Sequence, residues 1–214
     1  MLKQIYERDI DRIAYVEKRA FIPSMRADTE VILRRLRSGH IMIGDEVDGR
    51  LIGTAAFRYA KFNPHENGSF PSTFEDFAET STEDDYDSVF GYSLGVLPGY
   101  RNLARAKALF DAGVKRAVDD GCVRGVVHGS CSSYNGSSQF PRIETIEQSP
   151  EFRRAIDRYL NGGEFPLLRD FLYDPLLAFY SRIMKLKFLR VILDFFPKDV
   201  RSGGIGVILF KEFA

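Results

Sequence analysis

The stretch from Ser88 to His128 constrains this chain more than any other. Ser88-Val-Phe-Gly-Tyr-Ser-Leu-Gly-Val96 has the β-branched and aromatic content of a strand, and it runs into Leu97-Pro98-Gly99-Tyr100-Arg101. Leu103, Ala106, Leu109 or Phe110, Gly113, Ala117 and Val118 then trace an apolar stripe at helical spacing, and Gly121 supplies a stop. Cys122-Val-Arg-Gly-Val-Val-His128 reads as another strand. Strand, turn, helix, strand is a βαβ unit, which places its two strands parallel in one sheet. The class is α/β.

Upstream, apolar residues at Ile10, Ile13, Ala14 and Val16 give a first helix between Glu7 and Glu17, interrupted by Pro23. Asp28 or Thr29 caps a second helix carrying Val31, Ile32, Leu33 and Leu36, and Gly39 sits where a C-cap glycine belongs. His40–Val47 and Arg50–Tyr59 are β-prone runs joined by Asp48-Gly49, a dipeptide suited to a tight hairpin. Downstream, Asp174-Pro175 opens a helix through Leu177, Phe179, Tyr180 and Ile183, and Phe188–Leu193 and Gly204–Phe210 close the chain as strands. There is no internal repeat and no linker.

With 214 residues the chain can bury one sizeable core and is short for two, so one domain over 1–214 is expected. Insertions fall at about 61–87 and 129–173. The first is rich in Pro, Asn, Ser, Thr and acids and reads as a solvated loop. The second contains a Ser/Gly/Asn-dominated run followed by a charged segment with some helical spacing.

Lys plus Arg and Asp plus Glu number 30 each, so no global basic field gathers nucleic acid or an anionic membrane. No apolar run approaches the roughly 20 residues that span a bilayer, and the N-terminus lacks a signal-peptide core; a cytoplasmic protein is expected. Cys122 and Cys131 read as free thiols, and with His40, His65 and His128 scattered in sequence no metal site is assigned.

The order of elements, together with Val96-Leu-Pro98-Gly-Tyr-Arg101-Asn-Leu103-Ala104-Arg105-Ala106, resembles the GNAT superfamily of N-acyltransferases over nearly the whole chain. That family keeps Val two before Pro, Arg or Gln three beyond it, then two spacers, Gly, one spacer, and Gly or Ala. Here Val96, Pro98, Arg101 and Ala106 match, while Ala104 replaces the first glycine. The physical demand is for backbone N–H groups converging on a pyrophosphate at a helix N-terminus, where the helix dipole also favours an anion.

The resemblance implies a mixed central sheet splayed between its fourth and fifth strands, with flanking helices and acetyl-CoA as co-substrate. Leu94 and Val96 would face the pantetheine arm; Arg101, Leu103, Ala104, Arg105 and Ala106 would form the phosphate cradle, with Lys107 a further candidate cation. Asp174 would open the late helix beside the cofactor. Tyr180, on that helix, would protonate the departing thiolate. Lys187 stands before Phe188, where the family usually has glycine.

Asp87 and Tyr92 are local candidates for a general base, and Ser130, Cys131 and Ser132 for contacts to the thioester or acceptor. The reaction implied is transfer of an acetyl group to a primary amine of a small molecule or peptide, by direct attack. A homodimer is compatible with this. Alternatives are a long-chain N-acyltransferase using acyl-CoA or acyl carrier protein, for which the 18 Phe leave room, and a non-catalytic acyl-CoA-binding module. A third is an interaction protein using the acidic loop or Lys185–Arg190.

Overall fold

The computed structural model describes residues 1–63, 70–130, 175–192, 194–199 and 204–213. The strands are β1 (Leu2–Ile5), β2 (Ile41–Val47), β3 (Arg50–Ala60), β4 (Ser88–Val96), β5 (Arg124–Ser130), β6 (Lys187–Ile192) and β7 (Gly206–Glu212). The helices are α1 (Ile10–Ala20), α2 (Thr29–Arg37), α3 (Phe74–Glu79), α4 (Leu103–Asp119) and a short α5 (Pro175–Ala178). They belong to two compact units, Met1–Val127 with Phe210–Ala214, and His128–Leu209.

In the first unit the strand order is β1-β2-β3-β4-β5, with β7 next to β5, and Phe213 N–H donates to the Val123 carbonyl at 2.8 Å. In the second, β7 is followed by β6, which completes the seven-stranded order. β1 to β4 are antiparallel and β4 to β5 is parallel. The β2–β3 turn forms because Asp48 and Gly49 both adopt positive φ, 50° and 76°, as a hairpin turn matched to strand twist requires.

Asp28 caps α2 through Val31 N–H at 2.8 Å, as its sequence position predicts. Helices cover both faces of this sheet. Gly95 of β4 lies against Ala20 and Phe21 at the end of α1, while Gly53 of β3, opposite Val96, lies against Leu109 of α4. Neighbours along a strand point to opposite faces, so Gly95 and Val96 assign α1 and α4 to opposite sides.

Two expectations need correction. β1 was not foreseen, and α3 sits inside the segment 61–87 read as a solvated loop. Thr73 caps α3 by accepting from Asp76 N–H at 3.1 Å. Phe77 is buried among Phe70, Phe90 and Tyr92, so the segment carries part of the core. Its acids are largely paired, Asp85 with Lys61 and Asp87 with Arg124.

Candidate active site

Two irregularities in β4 coincide. Its antiparallel register with β3 runs Ala56↔Ser93 and then Phe57↔Gly91, so Tyr92 is an extra residue at a bulge. Its parallel register with β5 runs from Ser88↔Arg124 to Gly91↔Val127 and stops. Beyond Gly91 the edge of β4 from Tyr92 to Val96, including half-buried Leu94 and buried Val96, has no β5 partner among the described residues. That is the expected splay, and an unpaired edge offers backbone donors and acceptors to an extended amide-bearing chain.

At the end of this edge a turn delivers the chain into α4. Leu97 N–H is held by the Ile52 carbonyl and Tyr100 N–H by the Leu97 carbonyl, both at 2.8 Å. Asn102 is extended (φ −156°, ψ 160°) and caps α4 by accepting from Arg105 N–H at 2.8 Å. Ala106 N–H reaches the Asn102 carbonyl at 3.2 Å. The N–H groups of Asn102, Leu103 and Ala104 have no acceptor among the described residues. Leu103 is 61% exposed, and these donors sit at the positive end of a 17-residue helix. Ala104 is the second residue of α4 with a negative φ, so alanine at the family's glycine position costs no backbone strain.

Each of the three basic residues has partners within the protein. Arg101 donates from Nε to the Val96 carbonyl at 3.1 Å and from Nη2 to the Ala20 carbonyl at 2.9 Å. It pins the turn to the end of β4 and the end of α1, which fixes the direction of the open N–H groups. Arg105 forms an ion pair with Asp45 of β2 at 2.6 Å and lies over the Tyr100 ring. Lys107 pairs with Asp111 one turn along α4. Arg101 retains further N–H donors beyond these two bonds.

Asp87, a candidate base, is engaged on both carboxylate oxygens. It accepts from Phe62 N–H (3.1 Å), Ser88 Oγ (2.6 Å) and Arg124 (2.9 Å) at the paired end of β4. Burial pushes its pKa up, but Ser88, Phe62 and Arg124 together hold it below its ordinary value. Tyr92 donates to Nδ1 of buried His40 at 2.9 Å, and His40 Nε2 donates to the Thr80 carbonyl at 2.7 Å. A carbonyl accepts only, so Nε2 carries the hydrogen and Nδ1 is the acceptor. Burial lowers the His40 pKa to about 4, leaving the ring neutral. Sequence spacing gave no hint of this pair, whose members lie 52 positions apart.

In the second unit, α5 widens over Phe179–Ile183 into a turn with i→i+5 bonds, Met184 N–H reaching the Phe179 carbonyl at 3.0 Å. Such widened turns recur at functional sites. Tyr180 is buried there, and burial raises its phenol pKa, which keeps the proton on oxygen. Gly129 of β5 leaves room for Leu177, which an added Cβ would meet at 2.9 Å. The helix closes on Lys185, whose φ of 60° is the left-handed conformation that favours glycine, rather than on Lys187, which opens β6. Ser130 ends β5 half-buried; Asp174, Cys131 and Ser132 lie outside the described residues. Among the described residues no group of three or more His, Cys, Asp or Glu could hold a metal ion, and no helix is long and apolar enough to cross a membrane.

The acetyltransferase (GNAT) family model matches residues 5–139. No curated protein sequence matches. The GphF GNAT-like decarboxylase in complex with isobutyryl-CoA is similar in structure over 99% of this chain and 98% of that one, with TM-score 0.74 and 18% identity. The loading GNATL domain of CurA from Lyngbya majuscula is similar over 99% and 96%, with TM-score 0.72 and 17% identity. The ribosomal-protein-S18-alanine N-acetyltransferase from Escherichia coli gives TM-score 0.61 at 8% identity over 100% and 94%. At these identities the likeness establishes the shared fold.

Proposed function

This chain belongs to the acetyltransferase (GNAT) family, and from that membership we propose that it transfers an acetyl group from acetyl-CoA to a primary amine. The observation that carries the reading is the run of open N–H groups at Asn102, Leu103 and Ala104, set at the end of the unpaired β4 edge. A pyrophosphate suits the former and the amides of a pantetheine arm suit the latter. In the reaction the neutral amine attacks the thioester carbonyl; the C–N bond forms, the C–S bond breaks, the amine gives up a proton, and the thiolate gains one. Tyr180 is the proposed donor of that last proton, supported by a buried phenol that keeps it.

The test is thiol release from acetyl-CoA in the presence of an amine panel, with the acylated product identified by mass. Tyr180→Phe is expected to lower kcat about 100-fold while leaving the acetyl-CoA Kd unchanged, since general acid catalysis acts on the transition state and not on binding. An unaltered kcat would remove Tyr180 from the chemistry.

A second reading is decarboxylation of an acyl-CoA carrying a carboxylate β to the thioester. The fold matches that of the GphF decarboxylase over nearly the whole of both chains, and β4 itself carries no carboxylate to act as a base for an amine. Malonyl-CoA separates the two readings: decarboxylation converts it to acetyl-CoA without releasing thiol. Acetyl-CoA binding with neither product favours a non-catalytic module.

A further inference from the structure

Glu17 is a carboxylate buried in the first unit that no part of the scheme above uses. It lies on α1, 9% exposed, and its Oε1 accepts Ala27 N–H at 3.0 Å. Its Oε2 has no hydrogen-bond or ion-pair partner among the described residues, and it is not one of the polar atoms sealed from solvent. One oxygen is therefore anchored and the other is open.

The helix that carries it is fixed to the candidate site. Ala20, three positions on and so on the same helix face, and Phe21, which follows the helix, lie against Gly95 of β4; a Cβ there would stand 3.0 Å from Ala20 Cβ and 2.8 Å from the Phe21 ring. The Ala20 carbonyl is the one held by Arg101. Glu17 is three residues back from Ala20 along that face, about 4.5 Å of rise. Tyr92, at the bulge where β4 leaves β5, lies within electrostatic reach: after burial, the charges of Arg35, Glu17, Glu79 and Arg58 act on its phenol.

From this placement we propose that Glu17 is the general base that removes the proton from the acceptor amine, with Oε2 as the receiving atom. The assignment rests on the amine acylation proposed above. The ammonium gives its proton to Oε2, the nitrogen lone pair attacks the acetyl carbonyl, and the carboxylic acid formed returns the proton to solvent. The groups facing Glu17 tune it. Burial raises its pKa above the ordinary value, opposed by Ala27 N–H and by Arg35 and Arg26. A raised carboxylate pKa makes a stronger base.

Glu17→Gln is the discriminating variant, because the amide oxygen still accepts Ala27 N–H and the fold is kept. The expected result is a fall of about 100-fold to 1,000-fold in kcat/KM for the amine, an unchanged acetyl-CoA Kd by calorimetry, and a melting temperature no lower than the parent's. The acidic limb of log(kcat/KM) against pH should lose one unit of slope in Glu17→Gln and keep it in Glu17→Asp, which retains a carboxylate. A Glu17→Gln enzyme with the parent rate and slope would overturn the assignment alone, as would a Glu17→Asp enzyme that loses the slope. A wild type that binds acetyl-CoA and acylates no amine would overturn the proposed function, and this base with it.

Discussion

Gly113→Ala is expected to destabilise the protein by about 3 kcal/mol, although alanine gains roughly 1 kcal/mol over glycine in a helix interior. Gly113 lies in the middle of α4, and an added Cβ would stand 2.1 and 2.2 Å from two carbons of the Phe57 ring. Phe57 is itself 2% exposed and packed edge-on against Phe110, so the ring has nowhere to turn. The clash has to be relieved by lifting α4 off β3, which also moves the turn at Asn102–Ala104. A melting-temperature drop of roughly 6 to 12 °C would report it in a chain of this size. Phe57→Leu in the same background should recover part of the loss, because it removes the ring atoms involved.

His40 sets the second large effect. With the folded-state pKa lowered to about 4 from an ordinary 6.5, the unfolded chain binds a proton over that interval and the folded one does not. The stability that a neutral His40 contributes is therefore complete above about pH 6.5 and declines as pH falls towards 4. The shift corresponds to a loss on the order of 3 kcal/mol. Protonating Nδ1 would also break its acceptance from Tyr92 and place a cation beside Arg35 and Arg58. His40→Gln keeps an oxygen for the Tyr92 hydroxyl and an N–H for Thr80 but does not titrate. Urea unfolding at pH 7.5 and 4.5 should show a smaller difference for His40→Gln than for the parent. An equal difference would place the acid sensitivity elsewhere.

The parts of the fold that could be read from sequence are those decided locally. Ser88–Val96 is a strand over its expected span, Asp48-Gly49 turns a hairpin, Asp28 caps α2, and the stripe from Leu103 onward is α4. β1 escaped because Lys3 and Gln4 dilute four residues whose strand state comes from pairing with Met42–Asp45 of β2. α3 escaped because six residues with three acids look solvated until Phe77 is seen inside an aromatic cluster.

The site divides in the same way. The Val96–Ala106 pattern announced a turn into a helix N-terminus, and the splay followed from the resemblance. That Arg101 would hold the Ala20 carbonyl, 81 positions away, or that Arg105 would find Asp45, 60 positions away, depends on the packed sheet. Glu17 was invisible for the same reason: it reads as the polar end of an amphipathic helix, and its burial comes from α2 and the Ala27 segment folding over it.

The most direct test of the account is the binding of acetyl-CoA to the parent and to Leu103→Pro. Proline is tolerated at the first helical position and Asn102 already has the extended backbone that precedes a proline, so the fold is kept while one of the open N–H donors is deleted. Calorimetry should show acetyl-CoA binding to the parent and about 10-fold to 100-fold weaker binding to Leu103→Pro at an unchanged melting temperature, the worth of one hydrogen bond to a charged group. Equal affinities for the two proteins, or no binding to the parent, would contradict a phosphate cradle at the start of α4.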